Sequence, residues 1–204
     1  MRIVDLTHTV DNSTPVYPGD KKVNVYYDKY LKINNYNTSI IEMSTHTGTH
    51  IDTPSHLFDT NTLISDINLD QLCAKGILLD VRNKDIISFR PEYEKTIQSN
   101  CIVLLYTGFD KKFNKEAYFK NHPVVDKKLA EFFVFKKIKI LGIDLPSPDN
   151  YPFDIHKMLL KNNVLILENM ANLDRLIGVK DFEVIVLPLK IKAEAAPVRV
   201  IARL

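Results

Sequence analysis

The chain has 204 residues, 45% of them hydrophobic and 25% charged, and its formal net charge is only +2. These proportions exclude a disordered chain, and the length suits one domain with its own core. The basic residues form short, scattered pairs among acids and apolar residues, so we expect no nucleic-acid binding.

Targeting and redox signals are also weak. The apolar runs are far shorter than the ~20 residues that a membrane helix needs, and the N-terminus lacks the pattern of a signal peptide. Cys73 and Cys101 stand alone in apolar contexts, which favours free thiols in a reducing compartment. We therefore expect a cytoplasmic protein with no membrane partner.

Apolar runs rich in Ile, Val and Leu predict strands along the whole chain. The predicted strands, with the edge strands included, cover residues 3–6, 23–27, 40–43, 77–81, 101–106, 138–143, 164–167, 184–187 and 198–201. Helical spacing predicts helices over 92–98, 126–135 and 154–160, opened by Pro91, Asp126 and Asp154 respectively. This order of elements indicates a mixed α/β domain.

Three of the six histidines fall within the run His46-Thr-Gly-Thr-His50-Ile-Asp52-Thr-Pro-Ser-His56. Imidazole nitrogens and carboxylate oxygens are ligands of Zn²⁺, Mn²⁺ and Fe²⁺. If the segment is extended, positions 46, 48, 50 and 52 share one face, and Gly48 leaves room between the two rings. We therefore expect His46, His50 and Asp52 to converge on one ion. His56 is either a fourth ligand or a free imidazole that transfers protons.

Three ligands from one segment rarely close a metal shell, so others are expected elsewhere. His156 in a helix-like segment and Glu168 at the end of a strand-like run are the strongest candidates. Asp52 and Glu168 can bridge two ions, because carboxylates bridge and imidazoles do not. Five further polar residues are interpreted as structural, namely His8, His122, Asp5, Asp144 and Asp149.

The run from His46 to His56 resembles the His-x-Gly-Thr-His-x-Asp-x-Pro-x-His signature of the cyclase family, which includes bacterial kynurenine formamidase and, more distantly, isatin hydrolase. Weaker likeness continues in the same order along nearly the whole chain, at Asp5-Leu-Thr, residues 15–20, 142–147, 167–169, 187–190 and 196–199. The resemblance implies an α/β fold of the swivelling β/β/α type, with residues 1–204 as a single domain around a mixed central sheet. It also implies a homodimer or larger homo-oligomer.

The resemblance further implies a ligand set and a catalytic residue. The implied metal ligands are His46, His50, Asp52, His156 and Glu168, with Asp52 shared between two ions. His56 would be the catalytic acid and base. Zn²⁺ is the expected metal, with one or two ions per subunit, and Mn²⁺ fits the same donors.

This chain departs from the kynurenine formamidases in the loop that contacts their aromatic substrate. Tyr17 stands where kynurenine formamidases carry Trp, and this chain has no Trp. Tyrosine also stacks on aryl rings, so Tyr17 is expected to bind the substrate, with Phe58 and Tyr151 completing an apolar wall.

The expected activity is that of an arylformamidase of tryptophan catabolism, which cleaves N-formyl-L-kynurenine to L-kynurenine and formate. The alternatives are a cyclase-family hydrolase of an isatin-like cyclic amide or of a small amide or carbamate. A metal-binding protein without turnover is the third hypothesis; it is disfavoured because structural zinc sites are usually rich in cysteine.

Overall fold

The computed structural model describes residues 1–204, apart from the side chain of Glu116. The strands are β1 (Ile3–Asp5), β2 (Asn24–Lys29), β3 (Thr38–Glu42), β4 (His50–Asp52), β5 (Cys73–Asp80), β6 (Ile86–Ile87), β7 (Ile102–Tyr106), β8 (Val124–Val125), β9 (Ile140–Ile143), β10 (Leu165–Glu168), β11 (Glu183–Pro188) and β12 (Ala195–Arg203). The helices are α1 (Leu31–Asn34), α2 (Tyr93–Thr96), α3 (Lys127–Lys136) and α4 (Asp154–Lys161). None of the described helices has the length and apolar character needed to cross a membrane.

Seven strands close into a barrel in the order β12, β11, β5, β7, β9, β10, β4, and β4 returns to β12. The pairs β5–β7, β7–β9 and β9–β10 are parallel, and the other four pairs of the barrel are antiparallel. β1 extends the sheet by pairing with β12. The expected mixed α/β sheet is therefore confirmed, and its closure into a barrel is a feature that the apolar runs did not predict.

Hydrophobic residues pack on both faces of the barrel strands. One cluster, which includes Ile51, Leu104 and Val200, takes side chains from every barrel strand and fills the interior. The other includes Val103 on the outer face of the sheet and Leu159 of α4. Because side chains alternate along a strand, β4 buries Ile51 inside the barrel and directs its two flanking residues outward.

The predicted helix boundaries need two corrections. α2 ends at Thr96 rather than at residue 98, because Ile97 adopts an extended backbone and is buried in the core. The predicted cap of α4 by Asp154 is wrong: Phe153 precedes the helix at φ 63°, and no side chain caps it from that position. Instead, the carboxylate of Asp149 accepts a hydrogen bond from the backbone N–H of Ile155 at 2.6 Å.

β2 and β3 form a separate antiparallel ribbon. Tyr26 pairs with Ile40 on one face, and Val25 pairs with Ile41 on the other. Tyr26, Ile40 and Ile41 are all exposed. The ribbon therefore presents large apolar side chains to solvent on both of its faces.

Candidate metal centre

Strand pairing brings two of the proposed ligands together. β4 lies between β10 and β12, and its His50 is the direct partner of Glu168 on β10. His50 Nε2 is 3.3 Å from Glu168 Oε2. Asp52 lies two residues along β4, so it shares the outer face of the barrel with His50. Three buried polar side chains therefore meet at one end of the β4–β10 pair.

His46 reaches the same point by a different backbone path from the one expected. The segment before β4 is a turn rather than an extended strand, and Gly48 has φ 62°. A β-carbon at Gly48 would also lie 3.1 Å from Val10 Cγ2. The prediction of one extended face from 46 to 52 is wrong, because the left-handed turn at Gly48 folds His46 back over β4.

The described residues contain two overlapping groups that could each hold a cation. The first comprises His46, His50 and Asp52, and the second comprises Asp52, His156 and Glu168. Within each group the donor atoms all lie within 4.8 Å of one another. His156 Nε2 is 3.1 Å from Glu168 Oε1. The two groups share Asp52, as expected for a carboxylate between two ions.

The donor atoms fit a metal ion because several of them have no hydrogen-bond partner. Both carboxylate oxygens of Asp52 are buried without accepting a hydrogen bond, and His50 Nε2 is likewise unsatisfied. The nitrogens His46 Nδ1 and His50 Nε2 lie 3.1 and 3.5 Å from Asp52 Oδ1, but neither has hydrogen-bond geometry. Unsatisfied buried carboxylate oxygens are costly, and a divalent cation with nitrogen and oxygen ligands would satisfy them.

Electrostatics in this cluster also favour a cation. Burial opposes protonation of His46, but Asp52, with smaller contributions from Glu168 and Glu194, raises the pKa of His46 to about 9. Burial similarly opposes protonation of His156, but hydrogen bonds with Asp149 and Glu168 raise its pKa to about 10. The pKa values of Asp52 and Glu168 are lowered, because nearby imidazoles outweigh their burial. These carboxylates stabilise protons on His46 and His156, and a bound metal ion would replace those protons.

The second ring nitrogen of His50 is fixed by the backbone of the turn before β4. Nδ1 donates to the carbonyl of Gly48 at 2.9 Å, which leaves Nε2 to face the cluster. The same carbonyl accepts from Asn169 Nδ2 at 2.9 Å, and Tyr118 donates to Asn169 Oδ1 at 2.8 Å. The ring of His50 is therefore held by a buried network.

Carboxylates lie beside the outer nitrogens of the other two histidines. His46 Nε2 is 3.4 Å from Glu194 Oε1, and His156 Nδ1 is 2.5 Å from Asp149 Oδ1. Interpreting Asp149 as a turn residue is therefore incomplete, and Glu194 was not singled out in the sequence. Glu194 directly precedes β12, and only barrel closure places it beside His46.

His56 lies beside both groups but belongs to neither. It ends the short 3-10 turn Pro54–His56 that follows β4, and its ring centroid is 4.3 Å from that of His46. Burial lowers its pKa. Of the two expectations for His56, this position favours the free imidazole over the fourth ligand.

A cavity of about 270 Å³ opens onto the cluster. Its apolar wall includes Tyr17, Leu57, Phe119 and Phe153, and Tyr17 meets Phe119 edge-on at 5.8 Å between ring centroids. Tyr17 lies where the sequence-based expectation needs it, and its contact with the substrate stays a prediction, whereas Phe58 and Tyr151 do not line the cavity. Phe58 packs against the core, and Tyr151 is 85% exposed outside the cavity lining.

The other two histidines lie away from the cluster. His8 stacks on Phe113 with 3.8 Å between ring centroids, and burial lowers its pKa to about 4. His122 Nδ1 lies 3.0 Å from the carbonyl of Pro123. Both positions agree with the structural interpretation of these residues.

The remaining acids also bind protein groups. Asp5 pairs with Arg199 through two hydrogen bonds of 3.0 and 2.7 Å. Asp144 accepts hydrogen bonds from Thr107 and from the backbone N–H of Gly108. These contacts anchor loops and do not contribute to either donor group.

The Cyclase family model, described as putative cyclase, matches residues 4–150. Protein MJ0783 of Methanocaldococcus jannaschii is 34% identical over 205 residues, covering 99% of each chain. The kynurenine formamidase of Bacillus mycoides is 30% identical over 208 residues, covering 98% of this chain and 96% of the relative. Isatin hydrolase A from Labrenzia aggregata superposes with a TM-score of 0.87 at 25% identity, covering 98% of this chain and 93% of that chain. A solved structure described as a potential metal-dependent hydrolase with cyclase activity gives a TM-score of 0.81 at 25% identity, with coverages of 98% and 96%.

Proposed function

This chain belongs to the cyclase family and is a metal-dependent amidohydrolase, and we propose that it is an arylformamidase. Its proposed reaction converts N-formyl-L-kynurenine to L-kynurenine and formate, a step of tryptophan catabolism. The observation that carries the proposal is the pair of donor groups sharing Asp52 beside a cavity with an aromatic wall. Kynurenine formamidases about 30% identical over nearly the whole chain support it.

The proposed site holds two Zn²⁺ ions, and Mn²⁺ fits the same donors. His46, His50 and Asp52 would hold one ion, and Asp52, His156 and Glu168 would hold the other. A purely structural zinc site is disfavoured, because such sites are usually closed by cysteines. Neither donor group contains a cysteine, and the cluster faces a cavity.

A bound divalent ion supplies Lewis-acid chemistry, which polarises the formyl carbonyl and lowers the pKa of water toward about 7. His56 accepts a proton from the water that attacks the formyl carbon, because burial keeps its imidazole neutral. His56 then transfers the proton to the departing aniline nitrogen as the C–N bond breaks. This transfer is needed because an unprotonated aryl amide nitrogen is a poor leaving group, and it yields formate and the free amine.

The cavity wall provides the contacts for the substrate. Tyr17 and Phe119 offer ring edges and faces on which an aryl group can stack. Asp20 also lines the cavity, and its carboxylate suits the ammonium group of an amino-acid side arm. An aromatic wall with a carboxylate in the same cavity suits an aryl amide whose ammonium group lies away from the scissile bond.

Hydrolysis of N-formyl-L-kynurenine tests this proposal directly. The protein would be stripped of metal, reloaded with Zn²⁺ or Mn²⁺, and compared with His56→Ala. Turnover that requires both metal and His56 would support an arylformamidase. If metal binds stoichiometrically and no formyl kynurenine is cleaved, the substrate assignment is wrong.

A cyclic amide is the second candidate substrate. The structural similarity to isatin hydrolase A, at 25% identity over 98% of the chain, favours this alternative. Ring opening of isatin-like lactams would use the same polarised carbonyl and the same proton transfer. Parallel assays with formanilide, isatin and small amides or carbamates separate these candidates.

We also propose that residues 1–204 act as one domain, in the cytoplasm, as a homodimer. The exposed β2–β3 ribbon supports self-association, because an isolated two-stranded ribbon is marginally stable in water. Monomers also rarely expose large contiguous apolar patches. A second copy that covers the apolar faces of the ribbon would stabilise it and would bury its exposed apolar side chains.

A further inference from the structure

Asp149 contacts the proposed ligand His156 but has no role in the proposed reaction. Asp149 lies in the loop between β9 and α4, and its side chain is buried. Oδ1 accepts from His156 Nδ1 at 2.5 Å, while Oδ2 accepts from the backbone N–H of Ile155 at 2.6 Å. One carboxylate therefore binds both the ring of His156 and the first turn of the helix that carries it.

This contact determines which ring nitrogen of His156 is available as a ligand. A carboxylate only accepts hydrogen bonds, so Nδ1 must carry the hydrogen. In the neutral ring the lone pair is then on Nε2, which lies 3.1 Å from Glu168 Oε1 and faces the cluster. Asp149 thus selects the tautomer that a metal ion requires.

The loop holds Asp149 rigidly. Ser147 Oγ donates to the Asp149 carbonyl at 2.5 Å, and the Asp149 N–H donates back to Ser147 Oγ at 3.3 Å. The preceding carbonyl, that of Pro148, accepts from Val125 N in β8 at 2.8 Å. The loop therefore fixes the backbone of Asp149, and the N–H of Ile155 gives its carboxylate a second anchor besides His156.

The two donor groups depend on such support to different degrees. The group of Asp52, His156 and Glu168 has a single imidazole, so the orientation of that ring decides its only nitrogen ligand. The group of His46, His50 and Asp52 has two imidazoles. The ring nitrogen of His46 that faces away from Asp52 contacts Glu194, and that of His50 contacts the Gly48 carbonyl. Neither ring contacts Asp149.

We propose that Asp149 is a positioning residue for the second subsite, formed by Asp52, His156 and Glu168, and that its loss weakens metal binding there but not in the first subsite. The inference rests on the proposed function in that both subsites take a divalent ion. Loss of a carboxylate behind a metal-ligating histidine typically costs 10- to 100-fold in affinity. Loss of Asp149 is therefore expected to lower the metal affinity of the second subsite and to leave that of the first subsite unchanged.

Competitive titration of the metal-free protein with Zn²⁺, in the presence of a chromophoric chelator, tests this inference. The wild type should show two binding events, and His156→Ala identifies which of them belongs to the second subsite. Asp149→Ala should weaken that event about 10- to 100-fold and leave the other unchanged. Asp149→Asn, which retains one oxygen acceptor, should fall between the wild type and the alanine variant.

Asp149→Ala also removes a helix cap, so a matched control is needed. Asp126 caps α3 by accepting from Leu129 N at 2.7 Å and belongs to neither donor group. Asp126→Ala should lower the melting temperature while both Zn²⁺ events keep their wild-type affinities. This control separates loss of a cap from loss of ring orientation.

Three outcomes would overturn the inference: wild-type affinities for both events in Asp149→Ala, equal weakening of both events, or similar weakening in Asp126→Ala. Failure of the proposed function is a separate result. If the wild type binds two ions and does not hydrolyse N-formyl-L-kynurenine, the substrate assignment is wrong. The role of Asp149 would still be decided by the affinities alone.

Discussion

His50 and Glu168 face each other across the β4–β10 pair, with His50 Nε2 3.3 Å from Glu168 Oε2. Main-chain hydrogen bonds therefore set the spacing of two proposed ligands before any metal binds. Ile51, between His50 and Asp52, points into the barrel core and fixes the register of β4. The proposed centre is thus built on rigid strands rather than on loops alone.

Metal removal should abolish activity without unfolding the protein. The barrel interior is filled by apolar side chains that do not depend on the donor groups. We expect a chelator to eliminate hydrolysis, leave the far-ultraviolet circular dichroism spectrum unchanged, and lower the melting temperature by several degrees through lost ligand stabilisation. Global unfolding on chelation would instead indicate a structural metal site.

His56→Ala should lower kcat by a factor of about 10² to 10⁴, the usual contribution of a general acid or base. Metal content should stay at the wild-type value, because His56 belongs to neither donor group. Steady-state kinetics and metal analysis of the same preparation provide the measurement. His122→Ala, at a histidine outside the cluster, is the control and should retain full activity.

Tyr17→Ala should raise KM for an aryl amide about 5- to 10-fold, equivalent to about 1 kcal/mol of lost stacking. Little change in kcat is expected, since Tyr17 lines the cavity wall and contacts Phe119 rather than the donor groups. Tyr17→Trp should retain or lower KM. Tyr26→Ala removes a tyrosine on the exposed ribbon and serves as the control. An unchanged KM in Tyr17→Ala would exclude substrate stacking at this position.

His8 should make the metal-free protein acid-sensitive. Burial lowers its pKa in the folded state to about 4 from an ordinary value of 6.5. Between these values the unfolded chain binds more protons, so stability falls as the pH decreases from 6.5 to 4, by on the order of 1 kcal/mol. His8→Phe retains a ring against Phe113 and should flatten this part of the profile. Chemical denaturation with chelator present, from pH 7 to pH 4, measures the difference.

The β2–β3 ribbon should mediate self-association. Ile41 is 59% exposed on β3, so Ile41→Lys places a charge on the apolar face with little effect on the monomer core. We expect light scattering coupled to size exclusion to report a dimer for the wild type and a shift toward monomer for this variant. Leu69→Lys changes an exposed residue outside the ribbon and should leave the dimer intact. A wild-type monomer would contradict the proposal.

Local sequence patterns predicted much of the fold. Each predicted apolar run overlaps an observed strand, because a run of branched apolar residues favours a buried extended backbone in any context. The short β4 was missed because its three residues include two polar side chains. Its strand conformation comes from pairing with both β10 and β12.

The sequence by itself determined the chemistry of the proposed site, since imidazole and carboxylate side chains carry their ligand character wherever they lie. It therefore indicated His46, His50, Asp52, His156 and Glu168, which the fold brings into two adjoining groups. The tertiary structure alone decided the partners of these residues. Glu194 lies 3.4 Å from a nitrogen of His46, which comes from a distant segment, and that distance depends on barrel closure. Asp149 lies 2.5 Å from His156, seven residues further along the chain, and that distance depends on the anchored loop before α4. Local patterns specify backbone and ligand type, whereas contacts between distant segments depend on the register of the closed sheet.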